Sequence, residues 1–104
     1  MSKETVEVHC NAYQVLKILK PKWTTDILVQ ILQNNTHFGT LLRSLPDINP
    51  RSLAIRLRFL EEQGILIRTK KNVNPPQFTY QLTKKGENMR PIFNAMNQWF
   101  DENI

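Results

Sequence analysis

Asn49-Pro50-Arg51-Ser52-Leu53-Ala54-Ile55-Arg56-Leu57-Arg58-Phe59-Leu60-Glu61-Glu62-Gln63-Gly64 is the stretch from which the fold of this chain can be read. Asn49 suits an N-cap, because its side-chain oxygen can accept a free N–H of the first turn. Pro50 suits the first helical position, where a missing N–H costs nothing. Leu53, Leu57 and Leu60 stand at i, i+4 and i+7, so they share one face of the helix. Gly64 suits the position just past the helix end. With the leucines inward, a rotation of about 100° per residue leaves Arg51, Ile55, Arg58 and Glu62 on the opposite face, with Ser52 and Phe59 on a flank.

Upstream, Gly39-Thr40 opens a short helix with Leu41, Leu42 and Leu45, which Pro46 stops. Pro46-Asp47-Ile48-Asn49 is a tight connection whose one aliphatic residue, Ile48, plugs the core. Thr36–Phe38 reads as a short extended pairing, and Asn34-Asn35 closes a helix that begins near Thr24. Trp23, Ile27, Leu28, Ile31 and Leu32 form its apolar face, and Thr25 and Asp26 suit its first turn. A first helix over residues 9–19 sets Val8, Ala12, Val15, Leu16 and Leu19 on one face, and Pro21 ends it.

Downstream, Ile65-Leu66-Ile67 and Phe78-Thr79-Tyr80-Gln81-Leu82 read as strands, joined by a projecting basic loop from Thr69 to Pro76. Thr83 caps a last helix, in which Gly86 is expected to cost ~1 kcal/mol relative to alanine. Pro91 marks either a kink or a fresh start. Met89, Ile92, Phe93, Met96, Trp99 and Phe100 then recur at helical spacing.

The chain has 104 residues and a net charge of +5. Its positive charge is local: residues 37–85 hold nine basic and three acidic side chains, a net of +6, and the rest carries −1. A localised basic surface suits a polyanion, although a solvated basic face reads the same way on charge alone. No apolar run approaches the roughly 20 residues that span a bilayer. The acidic, apolar-poor start MSKETVEVHC is no signal peptide, so the expected location is the cytoplasm. One cysteine and two histidines are too few and too scattered for a metal site. No nucleophile–base pair, carboxylate dyad or Gly-rich phosphate loop stands at usable spacing, which argues against an enzyme and against a cofactor.

Helix, helix, short helix, turn, capped helix, strand, basic loop, strand, helix is the order of a winged helix-turn-helix. The expected fold is therefore mainly α with a small β-hairpin, in a single domain over residues 1–104. The helix-turn-helix lies at about 39–63 and the wing at about 65–82. An α-helix fits the major groove of B-DNA and reads bases with its N-terminal residues. On that reading Arg51 reaches guanine or a phosphate, Ser52 a base edge or phosphate, Ile55 a thymine methyl, and Arg58 a phosphate. Arg56, nearer the buried stripe, either braces the fold or reaches the backbone. Lys70, Lys71 and Asn72, with Asn74, form the wing, read either as a phosphate grip or as a protected hairpin edge. Lys84 and Lys85 are weaker candidates for the DNA backbone. The rival to DNA binding is a winged-helix protein-interaction module, which Ala54 and Ile55 on the reading helix favour.

These residues carry a resemblance. Lys22-Trp23-Thr24 with Ile27-Leu28, then Phe38 and Leu41, precede Leu45-Pro46-x-Ile48-x-Pro50-x-x-Leu53-x-x-Arg56-Leu57-x-x-Leu60-Glu61-x-x-Gly64-x-x-x-Arg68. Pro76-x-x-x-Tyr80-x-Leu82-Thr83-x-x-Gly86 and Trp99 complete the set. The chain resembles the HxlR-type winged helix-turn-helix regulators, relatives of the MarR group. The resemblance implies a homodimer on a pseudo-palindromic double-stranded operator, acting as a repressor, with an effector left open. It implies pairing through the terminal helices at about 9–19 and 84–101, with Val15, Leu19, Ile92, Phe93, Met96, Trp99 and Phe100 at the seam. It also places Cys10 where several members carry a cysteine that senses oxidants or electrophiles; a small packed thiol is the plainer reading. The Trp23 and Met89/Met96/Trp99 aromatics and methionines read as core or seam rather than as a ligand pocket. Three positions depart from the family pattern. Thr79 stands where an acidic residue is usual. His37 stands where Arg is usual, which would weaken a phosphate contact. Ala54-Ile55 stands where polar residues are usual.

Overall fold

The computed structural model describes residues 11–104, so Val8 and Cys10 lie outside the described residues. Among those described, the chain forms α1 (Asn11–Leu19), α2 (Thr24–Leu32), α3 (Phe38–Ser44), α4 (Pro50–Glu62), β1 (Leu66–Lys71), β2 (Gln77–Leu82), α5 (Lys84–Glu87) and α6 (Arg90–Asn103). This is a winged helix-turn-helix, with α3 and α4 as the helix pair and β1–β2 as the wing.

The core gathers around the leucine stripe of α4. Leu53, Leu57 and Leu60 are wholly buried, and they meet Ile27, Leu28 and Ile31 of α2 and Leu41 and Leu45 of the α3 region in one cluster. Each such leucine stabilises the fold by roughly 2 kcal/mol through burial alone. Ile48 is also buried, plugging the turn between α3 and α4. Asn49 caps α4: its Oδ1 accepts the Ser52 N–H at 2.8 Å, and Pro50 occupies the first turn. Gly64, at φ 76, takes the left-handed position beyond the helix.

α2 begins unusually. No side chain caps it; instead Trp23 itself takes φ 77, a left-handed conformation rare for an aromatic residue. Its other end follows the sequence, with Asn34 left-handed at φ 70. The segment after it pairs as expected: His37 bridges Thr79, and the Tyr80 N–H donates to the Thr36 carbonyl at 2.8 Å.

Two sequence expectations need correction, and one open alternative is resolved. β1 runs through Lys71, so Thr69, Lys70 and Lys71 are strand residues rather than loop, in register with Thr79, Phe78 and Gln77. Their antiparallel partners on β2 supply the ladder that turn-like composition after Lys71 obscures. Of the two readings of Pro91, the fresh start holds: α5 ends at Glu87, and α6 begins at Arg90 with Pro91 in its first turn. Gly86 is not a weak point, because a Cβ there would run into the Ile65 carbonyl oxygen and meet Leu82 Cδ2 at 2.9 Å. The Thr83 hydroxyl caps this junction, accepting the Gly86 N–H at 3.1 Å. Arg90 ties α6 to α2 by donating to the Leu32 carbonyl at 3.0 Å.

Candidate nucleic-acid interface

With its leucines inward, α4 turns Arg51, Ile55, Arg58 and Glu62 along one shallow open groove. Arg51 and Arg58 are exposed, and neither makes a salt bridge among the described residues. Ile55 is 51% exposed, in the middle of this face. Ser52 is half-buried on the flank, its backbone N–H held by Asn49. Arg56 is half-buried and borders both this groove and a second cleft beside the α1–α2 turn.

The hairpin sorts its cations by face. Directly opposed residues share a face of an antiparallel pair, and alternate residues along a strand do too. Leu66, Arg68 and Lys70 therefore stand on the side carrying Leu82, Tyr80 and Phe78, while Lys71 stands on the other. Leu66 and Tyr80 are buried, so this side turns toward the core. Further out, the Arg68 guanidinium lies 5.0 Å from the Phe78 ring centroid. Lys70, Lys71 and Asn72 are all exposed, but the two lysines point to opposite faces rather than forming one patch. Lys85, a weaker sequence candidate for the DNA backbone, is engaged elsewhere. Its ammonium donates to the Gln63 carbonyl at 2.6 Å and caps the end of α4.

The residues expected at a seam divide. Ile92, Met96, Trp99 and Phe100 are 41%, 46%, 60% and 54% exposed, a bare apolar stripe on α6. Leu19 and Phe93 are half-buried and pack against the protein's own core, and Val15 is half-buried on α1. On α1 the exposed apolar residues are instead Tyr13 and Leu16, at 55% and 57%. Among the described residues no group of three or more His, Cys, Asp and Glu side chains could hold a metal. No helix there is long and apolar enough to cross a membrane.

One residue of this region entered the sequence reading only as part of the family pattern and not as a site residue. Lys22 lines the cleft beside the first half of α4 together with Trp23, Asp47, Asn49, Ser52 and Arg56. Its placement depends on the left-handed backbone at Trp23, which no periodicity signals.

The model of the HxlR-like helix-turn-helix family matches residues 18–104. The chain belongs to that family. An HTH-type transcriptional regulator of Synechocystis sp. is 33% identical to this HxlR-like chain over 89 residues, which are 86% of this chain and 66% of the relative. A MarR-family transcriptional regulator of Enterococcus faecalis V583 matches in structure with a TM-score of 0.81 at 26% identity, covering 98% of this chain and 93% of that one. The redox regulator HypR in its reduced form matches with a TM-score of 0.74 at 30% identity, over 88% of this chain and 91% of that one.

Proposed function

We propose that this HxlR-like chain is a sequence-specific transcriptional regulator that binds duplex DNA as a homodimer. The observation that carries the reading is the outward face of α4: Arg51 and Arg58 are exposed and free of salt bridges among the described residues, opposite a fully buried leucine stripe. α4 enters the major groove, where Arg51 reads a guanine or grips a phosphate, Ile55 meets a thymine methyl, and Ser52, Arg56 and Arg58 hold the backbone. Lys70, Lys71 and Asn72 carry the wing to the flanking backbone. The bare stripe of α6 pairs two copies, so the operator is pseudo-palindromic, with half-sites about 34 Å apart.

The relatives described as transcriptional regulators support this reading. We extend it to repression in the cytoplasm and to a thiol signal at Cys10. The support there is the family resemblance and the likeness to HypR, described as a redox regulator. The exposed Ile55 favours one rival, an apolar docking face for another protein.

Selection from a random duplex library with the purified protein, with and without reducing agent, tests the proposal. An inverted repeat should be enriched. Arg51→Ala should relax one base position, at a cost of about 1–3 kcal/mol. Replacing Lys70 and Lys71 by Gln should lower the salt slope of binding by about 0.9 for each phosphate no longer neutralised. Failure to shift any duplex at low salt would hand the face to a protein partner. For the thiol, diamide should weaken DNA binding by the wild type but not by Cys10→Ser; equal responses reject it.

A further inference from the structure

We infer that the cleft between the Pro21–Trp23 turn and the first half of α4 is a DNA-phosphate site, with Lys22 as its principal cation. The inference rests on the DNA-binding reading of α4 and adds a phosphate anchor which that reading does not contain.

The turn is built to hold Lys22 in place. The Thr24 N–H donates to the Pro21 carbonyl at 3.1 Å and closes it. Trp23 takes φ 77 while its half-buried side chain packs against the core, so a strained backbone is held by a packed anchor. Backbone strain of this kind collects at functional sites. The Lys22 ammonium then sits 5.3 Å from the Trp23 ring centroid, a cation–π placement that limits where the chain can swing.

The cleft holds about 310 Å³ and presents donors from both walls. Lys22 contributes an exposed ammonium and Arg56 a half-buried guanidinium. Ser52 adds its hydroxyl. Asn49 adds its amide nitrogen, its oxygen already being taken by the Ser52 N–H. One carboxylate, Asp47, opposes them. It makes no salt bridge to Lys22 or Arg56 among the described residues, so the cations are not spent on it. A phosphate drawn into this cleft lies beside the N-terminal end of the reading helix. It fixes how α4 sits in the groove without reading sequence.

The test is binding of a random-sequence duplex by wild type, Lys22→Gln, Lys22→Arg and Asp47→Asn, each across a range of salt. Leaving one phosphate without its cation lowers the salt slope by about 0.9, so between 50 and 200 mM salt the affinity of the wild type should fall roughly 3.5-fold further than that of K22Q. K22R should restore the slope, and D47N should bind more tightly than wild type, a gain that unfolding cannot produce. A K22Q slope equal to wild type, or weaker binding by D47N, overturns the phosphate site. If the wild type binds and R51A binds less while K22Q matches wild type, only this inference falls. If the wild type itself binds no duplex, the DNA-binding reading falls with it.

Discussion

Tyr80 is the buried tyrosine of the wing. It is 4% exposed, its N–H reaches Thr36, and Arg68 faces it across the strand pair. Burial raises its pKa above the ordinary 10.0, the charge of Glu61 raises it further, and Arg68 opposes both. A raised value in the folded state means that the neutral phenol favours folding. That stability is complete below pH 10 and is lost as pH rises through the raised value. The wild type should therefore lose unfolding free energy above pH 10 more steeply than Tyr80→Phe in urea titrations. Parallel pH dependences would sink the argument. At the same scale, two departures from the family pattern meet. His37 and Thr79 are partners in one bridge, so the position usually Arg faces the position usually acidic. Arg51 and Arg58 were legible because helical periodicity alone assigns their face. Lys22 was not, because its position follows from one left-handed φ, and nothing in the local composition announces a left-handed tryptophan.

Among the elements, α4 was readable end to end, since cap, proline, leucine spacing and terminal glycine all agree. The wing was readable in kind but not in extent. Lys70 and Lys71 have little strand preference, and their strand conformation comes from Phe78 and Gln77 across the ladder. At α5 a helix-propensity argument gives the wrong sign. Propensity makes Gly86→Ala favourable by ~1 kcal/mol, whereas overpacking against Ile65 and Leu82 costs about 1–3 kcal/mol. The backbone oxygen of Ile65 cannot rotate aside as a flexible side chain can. Gly86→Ala should thus be destabilising, and a thermal midpoint equal to or above wild type would refute the close approach.

The whole molecule is long for its size, 58 × 28 × 22 Å. Every residue from Asn94 to Ile104 is exposed, so the outer turns of α6 have none of their own chain to rest on. An isolated helix this short is marginal in water, and its aromatic stripe is where the proposed dimer would pair. Burying Trp99 centrally in such a seam contributes at least ~2 kcal/mol. Trp99→Lys should then weaken self-association by about 30-fold or more in sedimentation equilibrium. Unchanged association would move the seam off α6.

If two copies pair through α6 as proposed, a protomer reads a bipartite operator only after the two have met. While pairs are scarce, promoter occupancy then climbs with the second power of the amount of chain made. Halving the gene dosage would cut occupancy nearer to a quarter than to a half, giving control a threshold without any added ligand.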